Sequence, residues 1–309
     1  MARIRETISH KTYPLEGSTT FGRDPRCSVA LADGRVSGHH ARIDWRGDGW
    51  TVRDLASLNG TWVNGRRIAN GGSQEVRAGD ELAFGDRGST WVLEDASAPV
   101  PMCLPLEGGE PRLLADGGIA LPDVEHPEVS VFLGTDGSWT LEAGERVRVV
   151  STGEVIEAGG RTWRFSCPSE WAQTVKSKSL RLVRESTLHF EVSRDEEYVS
   201  LSAEFEGELV VIGRHAAFYL LLTLARLRNA DSRTLERSEA GWVHRDDVAR
   251  MLNCGEQQLN VWVYRIRGSF SNKDFIDYAS IIERRDGTGQ LRIGVPKNVI
   301  NDGGTSHPA

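Results

Sequence analysis

The sequence predicts a mainly β N-terminal half made of two consecutive sandwiches, followed by an α+β domain. Three observations carry this prediction. From Arg3 to about Glu94, apolar and polar residues alternate in short runs separated by Gly, Asn and Asp. A second segment, about 102–168, repeats that texture, and helical periodicity appears only beyond about residue 180.

In the first segment, "ARIDW" puts Ala41, Ile43 and Trp45 on one face and Arg42 and Asp44 on the other, the period of a half-buried strand. "WTVRDL", "TWVNG" and "ELAFG" read the same way, with turn residues between them. The stretch "SLNGTWVNG", Ser57 to Gly65, contains two Asn-Gly pairs, each predicting a tight turn because both residues accept positive φ. Two turns so close leave almost no strand between them, and place side chains on a stiff loop at the rim of the sandwich.

A Pro-containing join, "DASAPVPMCLP", leads to the second segment, where "GSWTLEAG" and "STGEVIEAGGRTWRF" echo the earlier "DGWTVRDL" and "GSQEVRAGDELAFGDRGSTWVL". The echo predicts a duplicated sandwich. Two unrelated small β domains are the alternative.

The third segment opens with "LHFEV" and "YVSLSAEFEGELVVI" as strands. "HAAFYLLLTLARLRN" follows as a helix apolar around most of its girth, hence buried. "HRDDVARMLN" is a second helix with Val248, Met251 and Leu252 inward. "EQQLNVWVYRIRGSFS" is a third, in which Leu259, Val263, Ile266 and Phe270 share one stripe. "IIERRDGTGQLRIGV" closes the order as a hairpin around a Gly-rich turn.

Composition limits the function. The 309 residues hold 37 Lys+Arg against 44 Asp+Glu, a net charge of −7, so bulk charge does not hold this chain on nucleic acid or membrane. Cysteines 27, 103, 167 and 254 form no CxxC pair, which supports neither a zinc knuckle nor a disulfide scaffold. "MARIRETISHK" lacks the apolar stretch of a secretory signal, and "AAFYLLLTLA" is roughly half a membrane span. The reading is a cytoplasmic protein without cofactor or metal.

Three ordered pieces carry chemistry: "FGRD" with Arg23, "VSGHHA" with Ser37 and His40, and "DLASLNGTWVNG" with Asn59 and Asn64. A doubly charged phosphate on an extended peptide calls for a planar, always-charged donor, and an arginine fork matches phosphate oxygens where lysine is a point charge. Ser37 adds a hydroxyl donor, and the Asn59 amide offers both a donor and an acceptor to a peptide backbone. The order Gly22-Arg23, Ser37-x-x-His40 and Asn59-Gly60-Thr61-x-Val63-Asn64-Gly65, with "GDELAFG" after it, resembles the forkhead-associated (FHA) family over roughly residues 15–95.

That resemblance implies an FHA-like β-sandwich that binds phosphothreonine peptides. It implies Arg23, Ser37, Asn59, Gly60, Thr61 and Asn64 as phosphopeptide-binding residues, with Gly22 and His40 structural, His40 bonding the loops from beneath. Asn64 and Gly65 also read as a plain hairpin turn, and Thr61 as a buttress of the loop. Two positions depart from the family: Gly38 follows the motif serine where a basic or polar residue is common, and Leu58 precedes the key Asn where a hydroxyl is common. Both departures remove possible phosphate contacts, which leaves Arg26 and Arg35 as candidate substitutes.

The second sandwich has no G-R, S-x-x-H or N-G-T in register, so it reads as a degenerate FHA-like domain blind to phosphate. Catalysis finds no support. "GRVSGHH" misses the G-x-S-x-G spacing, and His39 and His40 diverge on a strand, so no catalytic residue and no metal site is assigned.

The C-terminal strands, helix, helix-turn-helix and hairpin resemble the winged-helix domains fused to bacterial response regulators. That resemblance makes 257–270 a recognition helix, with Gln257, Asn260, Val261, Tyr264 and Arg267 turned away from its core stripe, and makes Arg284 and Arg285 wing contacts to DNA phosphate. Charge opposes it: residues 180–309 contain 17 Lys+Arg and 19 Asp+Glu.

The expected layout is an FHA sandwich at 1–96, a degenerate FHA-like domain at 102–168, a winged helix at 180–298 and a flexible tail at 299–309. The expected function is phosphothreonine-dependent signalling. The first domain docks a protein phosphorylated by a Ser/Thr kinase, and the winged helix acts on DNA as a transcriptional output. The alternative is an adaptor or scaffold whose winged helix binds protein.

Overall fold

The computed structural model describes residues 1–169, 171, 181–193 and 198–302. The chain forms two compact units, Met1–Pro101 with Ser166–Thr174, and Met102–Phe165 with Val175–Ala309.

The first unit is the expected mainly-β sandwich. Its strands are β1 (Arg3–Glu6), β2 (Thr12–Pro14), β3 (Ser18–Gly22), β4 (Val29–Ala30), β5 (Ala41–Arg46) and β6 (Gly49–Asp54). β7 (Thr61–Val63), β8 (Arg66–Arg67), β9 (Ser73–Val76), β10 (Glu81–Phe84) and β11 (Thr90–Asp95) complete it. One sheet has the order β2-β1-β11-β10-β7-β8 and the other β4-β3-β5-β6-β9. Alternation is what buries them: Ala41 and Ile43 of β5, Trp50 and Val52 of β6, and Trp91 and Leu93 of β11 all point between the sheets. Phe21 stacks on Phe84 at 4.8 Å, so the ends of β3 and β10 that carry the rim loops are anchored in the core.

The two Asn-Gly pairs do different jobs. Asn64 (φ 49°) and Gly65 (φ 75°) are both left-handed and make the tight turn between β7 and β8. At Asn59-Gly60 only Gly60 has positive φ, at 100°, and the left-handed residue upstream is Ala56 at 57°. This loop is therefore not a second two-residue hairpin. It is a longer rim loop closed by glycine.

In the second unit, β12 (Met102–Pro105), β13 (Arg112–Leu113), β14 (Gly118–Leu121), β15 (Val129–Leu133), β16 (Trp139–Ala143), β17 (Arg146–Val149), β18 (Val155–Ala158) and β19 (Arg161–Ser166) come first. Their sheets, β13-β12-β19-β18 and β14-β15-β16-β17, follow the orders β2-β1-β11-β10 and β3-β5-β6-β9 of the first unit. The counterparts of β4, β7 and β8 are missing from this order.

The rest of the second unit holds β20 (Thr187–Val192), β21 (Val199–Phe205), β22 (Glu208–Arg214), α1 (Phe218–Asp231), β23 (Val243–His244), α2 (Arg245–Met251) and α3 (Glu256–Ser271). It ends with β24 (Ile282–Arg285), β25 (Gln290–Ile293) and β26 (Lys297–Asp302). α1 is buried as its apolar girth requires, and Leu259, Val263, Ile266 and Phe270 of α3 join it in one core. Met251, expected inward, is 57% exposed because α2 ends there. Residues 299–302, expected in a flexible tail, belong to β26, which pairs in parallel with β20 and completes the sheet β22-β21-β20-β26. Residues 303–309 and residue 180 lie outside the described residues. Among the described residues, no helix is long and apolar enough to cross a membrane.

Candidate functional site

The rim is built from three loops stitched by backbone. The Arg23 amide donates to the Ser37 carbonyl at 2.9 Å, Asp24 to that of Gly38 at 3.0 Å, and His40 to that of Phe21 at 2.9 Å. Gly22 makes this stitching possible, since a Cβ there would run into the Gly38 carbonyl oxygen.

His40, with no exposed surface, joins two of the loops. Its Nδ1 accepts from the Ser37 amide at 3.0 Å, so the proton sits on Nε2, which donates to the Gly60 carbonyl at 2.9 Å. Burial pushes its pKa below the ordinary imidazole value, which keeps this neutral tautomer in place. A second clasp, not foreseen from sequence, is Asp54. Its buried carboxylate accepts from the Ser57 hydroxyl at 2.6 Å, the Thr61 hydroxyl at 2.7 Å, and the Ser57 and Gly71 amides at 3.1 Å each. Burial alone raises a carboxyl pKa, but the hydrogen bonds from Ser57, Thr61 and Gly71 outweigh it, and Asp54 titrates below the ordinary range.

Above these clasps stand the candidate ligand groups. Ser37 Oγ accepts from the Leu58 amide at 3.0 Å, which leaves its hydroxyl proton to give. Asn59 Nδ2 donates to the Arg35 carbonyl at 2.7 Å, and its Oδ1 has no partner among the described residues. Arg23 is exposed, and its guanidinium has none among them either. The loop bonds thus bring Arg23, Ser37 and Asn59 onto adjoining loops of one rim.

Other expected contacts are spent on the fold. Thr61 is fully buried and bonds Asp54, so its hydroxyl is not presented to a ligand. Asn64 uses both amide ends on the neighbouring turn, Nδ2 to Asp80 at 2.8 Å and Oδ1 from the Glu81 amide at 2.9 Å. Gly60 is buried, and its carbonyl takes bonds from His40 and the Gly85 amide. Nor are the suggested substitutes spare: Arg26 pairs with Asp24 at 2.7 Å, and Arg35 pairs with Asp33 at 2.8 Å and with Asp86.

The candidate DNA face differs most from expectation. Gln257 is exposed, and Asn260 accepts from Arg245 at 3.3 Å. Tyr264, only 7% exposed, donates its hydroxyl to the Ala115 carbonyl at 2.9 Å. Arg267 is buried, forks onto Glu142 with both bonds at 2.8 Å, and lies 4.3 Å from the Phe132 ring centre. Arg284 lies 3.1 Å from the same carboxylate and donates to the Gly144 carbonyl at 3.0 Å. Arg285 reaches Glu239 at 3.2 Å and stacks on Trp242. α3 therefore has two buried faces, the second turned to the β14-β15-β16-β17 sheet, and Tyr264, Arg267 and Arg284 are not open to DNA. Burial would raise the Glu142 pKa, but the charges of Arg267 and Arg284 more than reverse this and hold it below the carboxylate range.

A model of the FHA domain family matches residues 19–85. Over 67 residues the chain is 37% identical to the serine/threonine-protein kinase RAD53 of Saccharomyces cerevisiae, covering 21% of this chain and 8% of that one. Over 68 residues it is 41% identical to the oxoglutarate dehydrogenase inhibitor of Corynebacterium efficiens, covering 22% of this chain and 46% of that one. The match thus spans less than half the length of these relatives. Among solved structures, the N-terminal FHA domain of S. cerevisiae RAD53 with a phosphothreonine peptide matches at 26% identity, covering 29% of this chain and 90% of that one, with a TM-score of 0.27.

Proposed function

We propose that this chain, whose residues 19–85 are an FHA domain, is a phosphothreonine-dependent signalling adaptor that docks a partner phosphorylated by a Ser/Thr kinase. One observation carries the reading. The exposed Arg23 guanidinium has no partner among the described residues and shares its rim with the Ser37 hydroxyl and the Asn59 amide, all three on loops clasped by His40 and Asp54. Such preset donors bind a dianion without reorganising. The preference for phosphothreonine over phosphoserine comes from the family.

The second unit is read as the output, without catalysis. Its C-terminal strands, three helices and hairpin fit a winged-helix plan, and the preceding sandwich fits an FHA derivative that has lost its phosphate rim with β4, β7 and β8. Burial of Tyr264 and Arg267, with Arg284 held on Glu142, takes up side chains that DNA reading would use and favours the adaptor reading. Transcriptional output through α3 is the second reading, and it requires the Glu142 contacts to open.

The test is a pull-down by the full chain from extracts of kinase-competent cells, with and without phosphatase treatment. The reading expects capture that phosphatase and Arg23→Ala each abolish, and no nucleic acid in the captured material. Capture indifferent to phosphatase would overturn docking, and nuclease-sensitive capture would restore the DNA reading.

A further inference from the structure

With Arg26 and Arg35 committed to aspartates, Arg67 is a guanidinium beside Asn59-Gly60 with no carboxylate partner among the described residues. Its place is fixed by two neighbours. It lies against the backbone of Gly60, where an added Cβ would come within 2.8 Å of its Cζ, and 5.7 Å from the centre of the Trp62 ring. Gly60 thus does more than adopt a φ of 100°, because its bare Cα also lets the guanidinium come close to the rim loop.

Leu58 sits at the same corner. Its amide is fastened to Ser37 Oγ, while its side chain is 85% exposed, the most exposed large apolar residue among those described. No core contact accounts for a leucine held there. It is tied to Ser37 and precedes Asn59 in the chain, so it flanks two of the candidate ligand groups.

We propose that Arg67 and Leu58 form a specificity subsite beside the phosphate-binding rim, Arg67 taking a ligand carboxylate and Leu58 a neighbouring apolar side chain. The inference rests on the phosphothreonine reading above. It specifies the partner's chemistry: a phosphothreonine segment with an acidic and an apolar residue on the Asn59 side. The guanidinium fork suits a carboxylate, and Leu58 replaces a hydroxyl that would have faced the phosphate with a surface that rewards apolar contact.

The experiment is a fluorescence-polarisation titration of the full chain with phosphothreonine peptides in an alanine background. A single Asp, Lys or Leu is scanned through the flanking positions. The proposal expects one position at which Asp binds about three- to tenfold tighter than Lys, with Leu favoured at an adjacent one. Arg67→Ala should erase the Asp preference while keeping the affinity for the alanine-background phosphopeptide, and Arg67→Gln, which keeps a polar side chain but removes the charge, should do the same. Leu58→Ser should erase the Leu preference alone. A preference that survives both Arg67 variants, or a wild type that discriminates at no position, overturns the subsite. Should the alanine-background phosphopeptide bind no better than its unphosphorylated form, the phosphothreonine reading itself fails, and the subsite with it.

Discussion

Asp54 and His40 hold the rim from beneath, and both do so only in one protonation state. His40 folds with its pKa below the imidazole reference of about 6.5, so between those values the unfolded chain binds more protons. Its contribution is therefore complete above about pH 6.5 and shrinks as pH falls through that value toward the folded one. Asp54, also lowered, contributes fully above the reference of about 3.9 and loses that contribution as pH drops through its folded value. Unfolding midpoints measured from pH 7.5 down to pH 3 should fall in two steps, and His40→Asn should remove the upper one. Asp54→Ala strands two hydroxyls and two amides, and denaturant unfolding should register a loss of about 2–5 kcal/mol in the first unit. The loop positions of Arg23, Ser37, Asn59 and His40 were legible because they follow from residue type and order. Asn64 and Thr61 were readable in sequence both as ligand contacts and as a hairpin turn and a loop buttress, since an asparagine that locks a turn and one that waits for a ligand are spelled alike. Only the bonds to Asp80, Glu81 and Asp54 distinguish them.

At the scale of single elements, α3 teaches the most. Its stripe of Leu259, Val263, Ile266 and Phe270 was readable from period alone, and it enters the core. The opposite face was read as solvent because it carries Tyr264 and Arg267, although a helix can bury polar residues that find partners. A usable signal was present in Gly268: a Cβ there would stand 2.9 Å from that of Asp116, so the helix gives up propensity for close approach. Val261, Tyr264 and Gly268, spaced 3 and 4 apart, already mark a second stripe. The carboxylate that closes this face, Glu142, lies more than a hundred residues upstream, beyond any local pattern. Glu142→Ala should cost about 3–5 kcal/mol in denaturant unfolding of the second unit, because it leaves Arg267 and Arg284 buried without a counter-charge. Glu142→Asp should recover part of this. β26 escaped notice for a related reason, as its register is set by parallel pairing with β20, far away in sequence.

Over the whole molecule, charge and burial point the same way. A chain of net charge −7 whose candidate recognition helix buries Tyr264 and Arg267 lacks the long-range pull, and part of the open side-chain set, that duplex binding needs. A gel shift with the full chain at low salt should show no retardation of duplex DNA, and a salt-dependent shift would contradict the adaptor reading. The sandwich character of the N-terminal half was legible from alternation and turns. The strand order shared by β12–β19 and the first unit was hinted at only by short echoes, because topology survives where residues do not. The phosphate pocket is expected once per chain, since β4, β7 and β8 have no counterparts in the second sandwich.

Isothermal titration of the full chain with a phosphothreonine peptide, wild type against Arg23→Ala, tests the central claim most directly. The account predicts one binding site per chain, no heat with the unphosphorylated peptide, and a loss of about 2–5 kcal/mol in Arg23→Ala with the unfolding midpoint unchanged. Two sites per chain, or an Arg23→Ala protein that binds as tightly as the wild type, would contradict it.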